Sequence, residues 1–252
     1  MSKYFLFFLG WAFLSSCIGI PSVDSDSQPI DHSAWNELLK KHVDNEGLVN
    51  YQGFIKDKGV FQSYLDLLSQ NHPNSSNWSK DEQLAYWINA YNAFTIKLII
   101  DYYPVQSIKD IAGSIPFVNS PWDVKFIEIE GETYDLNNIE HGIIRKQFQE
   151  PRIHFALVCA AVSCPKLRNE AFVAERLDDQ LEDQAIGFFN NPAKNKIESN
   201  RAEVSKLLSW YGGDFKIGNQ TKIDYINRYS KVKLNDEAKL DFMDYDWNLN
   251  EQ

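Results

Sequence analysis

Several polar residues stand in otherwise apolar stretches of this chain: Asn89 and Asn92, Glu140, His141 and Arg145, His154, Cys159 and Cys164, and Arg168. A thiol beside an imidazole performs acyl transfer, and Cys164 follows a long apolar run and precedes Pro165, where a loop side chain can face a cleft. His141 would be its base, oriented by Glu140 or an asparagine. A nucleophilic thiolate also needs a nearby cation, which Arg145, Arg168 or His141 supplies. On this reading Cys164, His141 and Glu140 are catalytic, and Asn89, Asn92, Arg145, His154 and Arg168 bind. Against it, Glu140 and His141 point about 100° apart on an α-helix. Glu140 then suits a helix-capping box better than the orientation of the ring.

The same residues admit two other readings. Cys159 and Cys164 can close a small disulfide loop, or Cys159 can be a buried thiol, with Asn89, Asn92 and His154 as hydrogen-bonded core groups. The second is a binding module without turnover, in which Trp78, Trp122, Trp210, Tyr211 and Trp247 line a cleft for a peptide or glycan. Whether the chain is an enzyme stays open between these. No metal or other cofactor is expected: two cysteines with His141 and His154 offer four ligands, but their Cys-x4-Cys spacing lies outside the usual zinc pairs. Phosphate loops, the nucleophile elbow and the zinc-protease helix motif are absent.

The elements that must position these residues are legible from spacing. Ser79-Lys-Asp-Glu82 is a capping box and Pro104 a stop, which predicts a helix over 79–103 that is apolar almost all round and so buried. It carries Asn89 and Asn92 on one face. Asn137 is expected to cap a helix over 138–148, and residues 152–159, apolar on both faces, read as a central strand. A helix capped by Asp31 or Ser33 and carrying Trp35, Leu38 and Leu39 is expected, with further helices near 60–68, 171–189, 205–211 and 222–228. Hairpins are expected at 124–134 and 196–204, with a closing strand at 240–245. The class is α+β: several helices packed around a small mixed β-sheet, with one long buried central helix.

Composition bounds the rest. The 252 residues carry a net charge of −10 with no Lys/Arg block, which argues against nucleic acid as a partner. Aromatics reach 14%, so ring packing must carry much of the core. Lys3, an apolar run over 4–14 and Leu14-Ser15-Ser16-Cys17 form a leader too short to span a bilayer. The box resembles that of bacterial lipoproteins, in which the cysteine is lipidated. The expected organisation is a signal peptide over 1–16, lipidated Cys17 with a flexible tether over 17–30, and one domain over 31–252. This implies a lipid anchor in the bacterial envelope, on the outer membrane, with the domain facing the periplasm or the exterior.

Four blocks add a resemblance: Tyr86-Trp-Ile-Asn-Ala-Tyr-Asn-Ala93, Ile139-Glu-His-Gly-Ile-Ile-Arg145, Pro151-Arg-Ile-His-Phe-Ala-Leu-Val-Cys-Ala-Ala-Val-Ser-Cys-Pro165 and Tyr245-Asp-Trp-Asn-Leu-Asn250. Together they resemble the DUF547 family, over about 35–250. The resemblance implies that these polar blocks belong to one pattern; it brings no activity with it. The site is therefore expected where the Asn89/Asn92 helix, the Glu140-His141 helix and the loop after Cys159 converge, with Asn92, His141 and Cys164 in one pocket.

Overall fold

The computed structural model describes residues 23, 25–115, 118–216 and 218–252. The leader and Cys17 lie outside the described residues. Residues 25–30 run without regular structure and are held on the domain: Ser25 Oγ donates to Glu130, Ser27 Oγ to the His72 carbonyl, and Trp78 Nε1 to the Ser27 carbonyl at 3.0 Å. Trp78 is thereby buried beside Pro29 and Glu82, apart from the cleft that Trp122, Trp210, Tyr211 and Trp247 line.

Helices α2 (Tyr51–Lys56) and α3 (Lys58–Ser69) pack on the long α4 (Lys80–Tyr102), and α1 (Ser33–His42) packs on α2 and α3. Trp35 stacks on Tyr64 with ring centroids 5.5 Å apart and lies against Phe54 and Phe61, so ring packing joins α1 to α2 and α3. Both capping-box bonds form at the start of α4, Glu82 N to Ser79 Oγ and Ser79 N to the Glu82 carboxylate. Every residue from Gln83 to Ile96 is buried, as expected of a helix apolar on all sides. After the one-turn α5 (Lys109–Ala112), strands β1 (Ile127–Ile129) and β2 (Glu132–Tyr134) form an antiparallel hairpin. Gly131 turns it at φ +82°, a conformation an L side chain resists.

The next stretch departs from expectation in two places. Residues Asn138–Ile144 form a wide π-helical segment that tightens into the α6 turn (Arg145–Gln147), not a uniform α-helix over 138–148. Asn137 does not cap it; the Asp135 carboxylate accepts the Asn138 N–H at 2.6 Å, and Asn137 donates to Asp123 instead. The expected central strand over 152–159 is a 3₁₀ turn, Pro151–Phe155, followed by irregular chain. Pro151 starts that turn, and side-chain amides take up the backbone groups a strand would pair. A short apolar run does not by its period distinguish a buried strand from a buried turn.

Helix α7 (Leu177–Phe189) leads to a mixed three-stranded sheet, β3 (Lys196–Glu198) antiparallel to β4 (Arg201–Val204), and β4 parallel to β5 (Lys239–Phe242). Helices α8 (Leu207–Trp210) and α9 (Lys222–Tyr229) lie between β4 and β5. The described chain is thus α+β, with nine α-helices and sheets of two and three strands. Among the described residues no helix is long and apolar enough to cross a membrane.

Two hydrophobic cores result. The larger surrounds α4, and the smaller gathers Phe155, Phe188, Phe189, Phe215 and Tyr225 under α7, α9 and β4. The last residues return to the first core: Val162 N donates to the Asn248 carbonyl and Asn250 N to that of Ala160. This return brings Tyr245 and Trp247 beside the cysteine loop.

Candidate functional site

A cavity of about 260 Å³ opens between the two cores. The π-helical segment supplies Glu140 and His141, α4 supplies Tyr91, and the loop after the 3₁₀ turn supplies Leu157, Cys159 and Cys164. The far wall is aromatic: Trp122, Trp210, Tyr211, Tyr245 and Trp247. These rings pack on one another, Tyr245 on Trp247 at 4.5 Å and Trp210 on Tyr245 at 4.8 Å between centroids. Trp210 is 49% exposed and Trp122, Tyr211, Tyr245 and Trp247 are half-buried, so the wall is open to solvent rather than sealed into a core.

Glu140 is the polar pole of the cavity. Its residue is only 5% exposed, and its Oε2 accepts from the Tyr91 hydroxyl at 3.2 Å. Burial, then the neighbouring Glu140 carboxylate, pushes the phenols of Tyr91, Tyr211 and Tyr245 above their ordinary pKa. All three therefore stay as neutral hydroxyls around one carboxylate. The wide turn reduces the angle between successive residues, which is how adjacent Glu140 and His141 both reach one cavity despite the 100° expected of an α-helix.

His141 is tied to a second polar set. Arg145 Nη1 lies 3.0 Å from His141 Nδ1, where a guanidinium can only donate. Nδ1 is 3.8 Å from Glu140 Oε1, outside hydrogen-bond reach. Arg145 forks onto both oxygens of Asp214 at 2.7 and 2.8 Å, and His154 Nε2 meets the same carboxylate at 2.8 Å while its ring stacks 3.9 Å from Tyr211. Hydrogen bonds from His154 and Arg145 hold the Asp214 carboxyl well below the usual range. Asp214 follows a Gly-Gly pair with nothing local to mark it, and sequence reasoning missed it.

The structure gathers Glu140, His141, His154 and Cys164 around the cavity and leaves out Asn89, Asn92, Arg145 and Arg168. Asn92, expected in the pocket, instead holds the loop behind it: Nδ2 donates to the Ala156 carbonyl at 2.9 Å and Oδ1 accepts from Val158 N at 3.0 Å. Asn89 treats Phe172 the same way, at 2.7 and 3.0 Å. Arg168 pairs with Glu170 and Asp183, and Arg145 lines a neighbouring cavity with Asp214. Tyr91 and Tyr245 were not singled out; both sit inside the blocks quoted above, where the surrounding pattern was the only signal.

Cys159 and Cys164 form a disulfide with Cα atoms 6.0 Å apart, within the usual span of such bonds. Cys159 Sγ faces the Tyr245 hydroxyl at 3.1 Å. With both sulfurs joined, Cys164 offers no thiolate to His141, and the four-ligand metal set loses its two sulfur donors. Among the described residues no other cluster of three or more His, Cys, Asp or Glu side chains is arranged to hold a metal ion.

A family model described as "Protein of unknown function, DUF547" matches residues 75–189. The match spans α4, the Glu140-His141 segment and the disulfide, bearing out the resemblance over that stretch. Trp210, Tyr211, Tyr245 and Trp247 lie beyond it. No curated protein and no solved structure matches the chain.

Proposed function

We propose that this is a DUF547-type ligand-binding domain, held on an envelope membrane by lipid at Cys17, that takes a small amphipathic molecule into the aromatic cavity. One observation carries the reading: five partly exposed aromatic rings line one concave wall opposite a buried carboxylate. Rings left half-exposed are available to a ligand, whereas rings serving only as packing are sealed, as Trp35 and Trp87 are. At about 260 Å³ the cavity is near the lower end of ligand sites, which suits a small molecule or one group of a larger one. The disulfide supports binding over thiol chemistry, because it rigidifies the wall and ties up the only nucleophile candidate.

The test is a fragment screen followed through the indole N–H signals of Trp122, Trp210 and Trp247. Binders should perturb these three and leave those of Trp35 and Trp87 unmoved. Failure of any fragment to act on this set would end the proposal. The anchor is tested separately: the wild-type chain should take up labelled palmitate and partition with membranes, and Cys17→Ser should do neither.

A further inference from the structure

The cavity has a charge character that its apolar walls conceal. Among the described residues, no lysine or arginine pairs with Glu140. The nearest ring nitrogen, His141 Nδ1, lies 3.8 Å from Glu140 Oε1, beyond hydrogen-bond reach, and 3.0 Å from Arg145 Nη1. Arg145 itself is balanced by its fork onto Asp214. Glu140 is thus a buried carboxylate whose charge the protein stabilises with phenol hydroxyls but does not neutralise. A buried charge of this kind is costly unless something pairs with it.

The rings opposite it point the same way. The face of an indole or phenol ring carries negative potential and attracts cations, most strongly for Trp. Two of these rings already do so with side chains of the protein: Lys109 Nζ lies 3.8 Å from the Trp247 ring centre, and the Arg145 guanidinium carbon 5.2 Å from that of Tyr211. Neither Lys109 nor Arg145 lines the cavity. Lys109 is solvent-exposed, so its ammonium is hydrated outside the cavity.

Resting on the ligand-binding reading above, we infer that the ligand group the cavity takes is a trimethylammonium-type cation, seated among Trp122, Trp210, Tyr211, Tyr245 and Trp247 with Glu140 as counter-charge. A methylated ammonium suits these walls better than a primary amine. A primary amine brings three N–H donors that need acceptors, whereas this lining is mostly ring and aliphatic surface and its one carboxylate already accepts from Tyr91. A trimethylammonium group spreads its charge over methyls that pack on rings and asks for no hydrogen bond.

The experiment compares choline with 3,3-dimethylbutan-1-ol, its neutral carbon isostere of the same shape. Binding to the mature domain is read by calorimetry and by Trp fluorescence. Choline should bind at least tenfold more tightly than the isostere, and Glu140→Gln should remove that preference. The wild-type ratio decides the question even if the variant folds poorly. Equal binding of the two probes overturns the cationic assignment and leaves the ligand-binding reading standing. Preference for the isostere does the same. If neither probe binds and the fragment screen is also empty, both readings fall.

Discussion

Two sets of buried polar side chains adjoin α4, and they are spent differently. Asn89 and Asn92 each give both ends of an amide to the backbone of the loop opposite, acting as a strand would in pairing with Phe172, Ala156 and Val158. Both ends of each amide are thus bonded to backbone, and neither residue lines the cavity. Glu140 is as buried, yet its carboxylate accepts from the Tyr91 hydroxyl, has no lysine or arginine paired to it among the described residues, and faces a cavity. Burial and polarity therefore do not separate structural from functional residues here; the unspent bonding capacity does.

The largest expected effect tests the closed set. Asn92→Ala strands the Ala156 carbonyl and the Val158 N–H in the core, at about 1–3 kcal/mol for each group. Urea unfolding should therefore show a loss of about 2–6 kcal/mol, and Asn89→Ala a loss of similar size. A midpoint within error of wild type would mean that water replaces the amide, and that the two sets are not distinct in kind.

His32 belongs to the closed set as well, its Nδ1 within 2.8 Å of the Tyr64 hydroxyl in the first core. Burial lowers its pKa from 6.5 to about 4. Between those values the unfolded chain binds a proton that the folded one refuses, so stability falls as pH drops from about 6.5 to 4 and this contribution is flat below. The shift corresponds to roughly 3 kcal/mol. His72, lowered by burial too, adds in the same sense, whereas Asp214 retains its stabilising contribution until the pH falls below the ordinary carboxylate range. Unfolding of wild type and His32→Gln at pH 7 and 4.5 isolates the term: the variant should lose less. Parallel losses in the two proteins would assign the acid sensitivity elsewhere.

The disulfide lies between the sets, closing the loop that Asn92 holds while forming part of the cavity wall. Its two cysteines are 5 residues apart, and so short a loop gains about 2 kcal/mol from cross-linking. Reductant should lower stability by that amount without unfolding the domain at 25 °C. Alkylation with and without reductant, mapped by mass, checks the premise: rapid labelling of Cys164 in the unreduced protein would restore a free thiol beside His141.

The elements legible in the sequence were those whose cause is local. The α4 capping box, its apolar circumference and the Pro104 stop are all written within two dozen residues, as is the hairpin at Gly131. The α+β class followed from the spacing of such elements. The cavity was only half legible. His141 and Cys164 were expected together and are, but Asn92 was expected with them because an amide on a buried helix carries the same signature whether it serves a ligand or a backbone. Glu140 is expected beside His141 as a catalytic group, yet an α-helical period favours a capping role for it; the π-helical segment that packs against α4 places it in the cavity. Asp214 and Tyr245 come from chain 60 or more residues away, and no local pattern announces such a partnership.

The smallest effect is the sharpest test of the comparison. Glu140→Gln replaces a buried charge by a neutral group of the same shape, and the Gln carbonyl can still accept from Tyr91. The desolvation cost of the carboxylate disappears while its hydrogen bond remains, so stability should stay within about 0.5 kcal/mol of wild type or rise. That outcome marks Glu140 as a residue kept at the expense of stability, as binding residues often are. A loss of about 2 kcal/mol or more, matching Asn92→Ala, would show the carboxylate to be as fully engaged as the amides. The distinction between the two polar sets would then disappear, and with it the reason to expect a cation in the cavity.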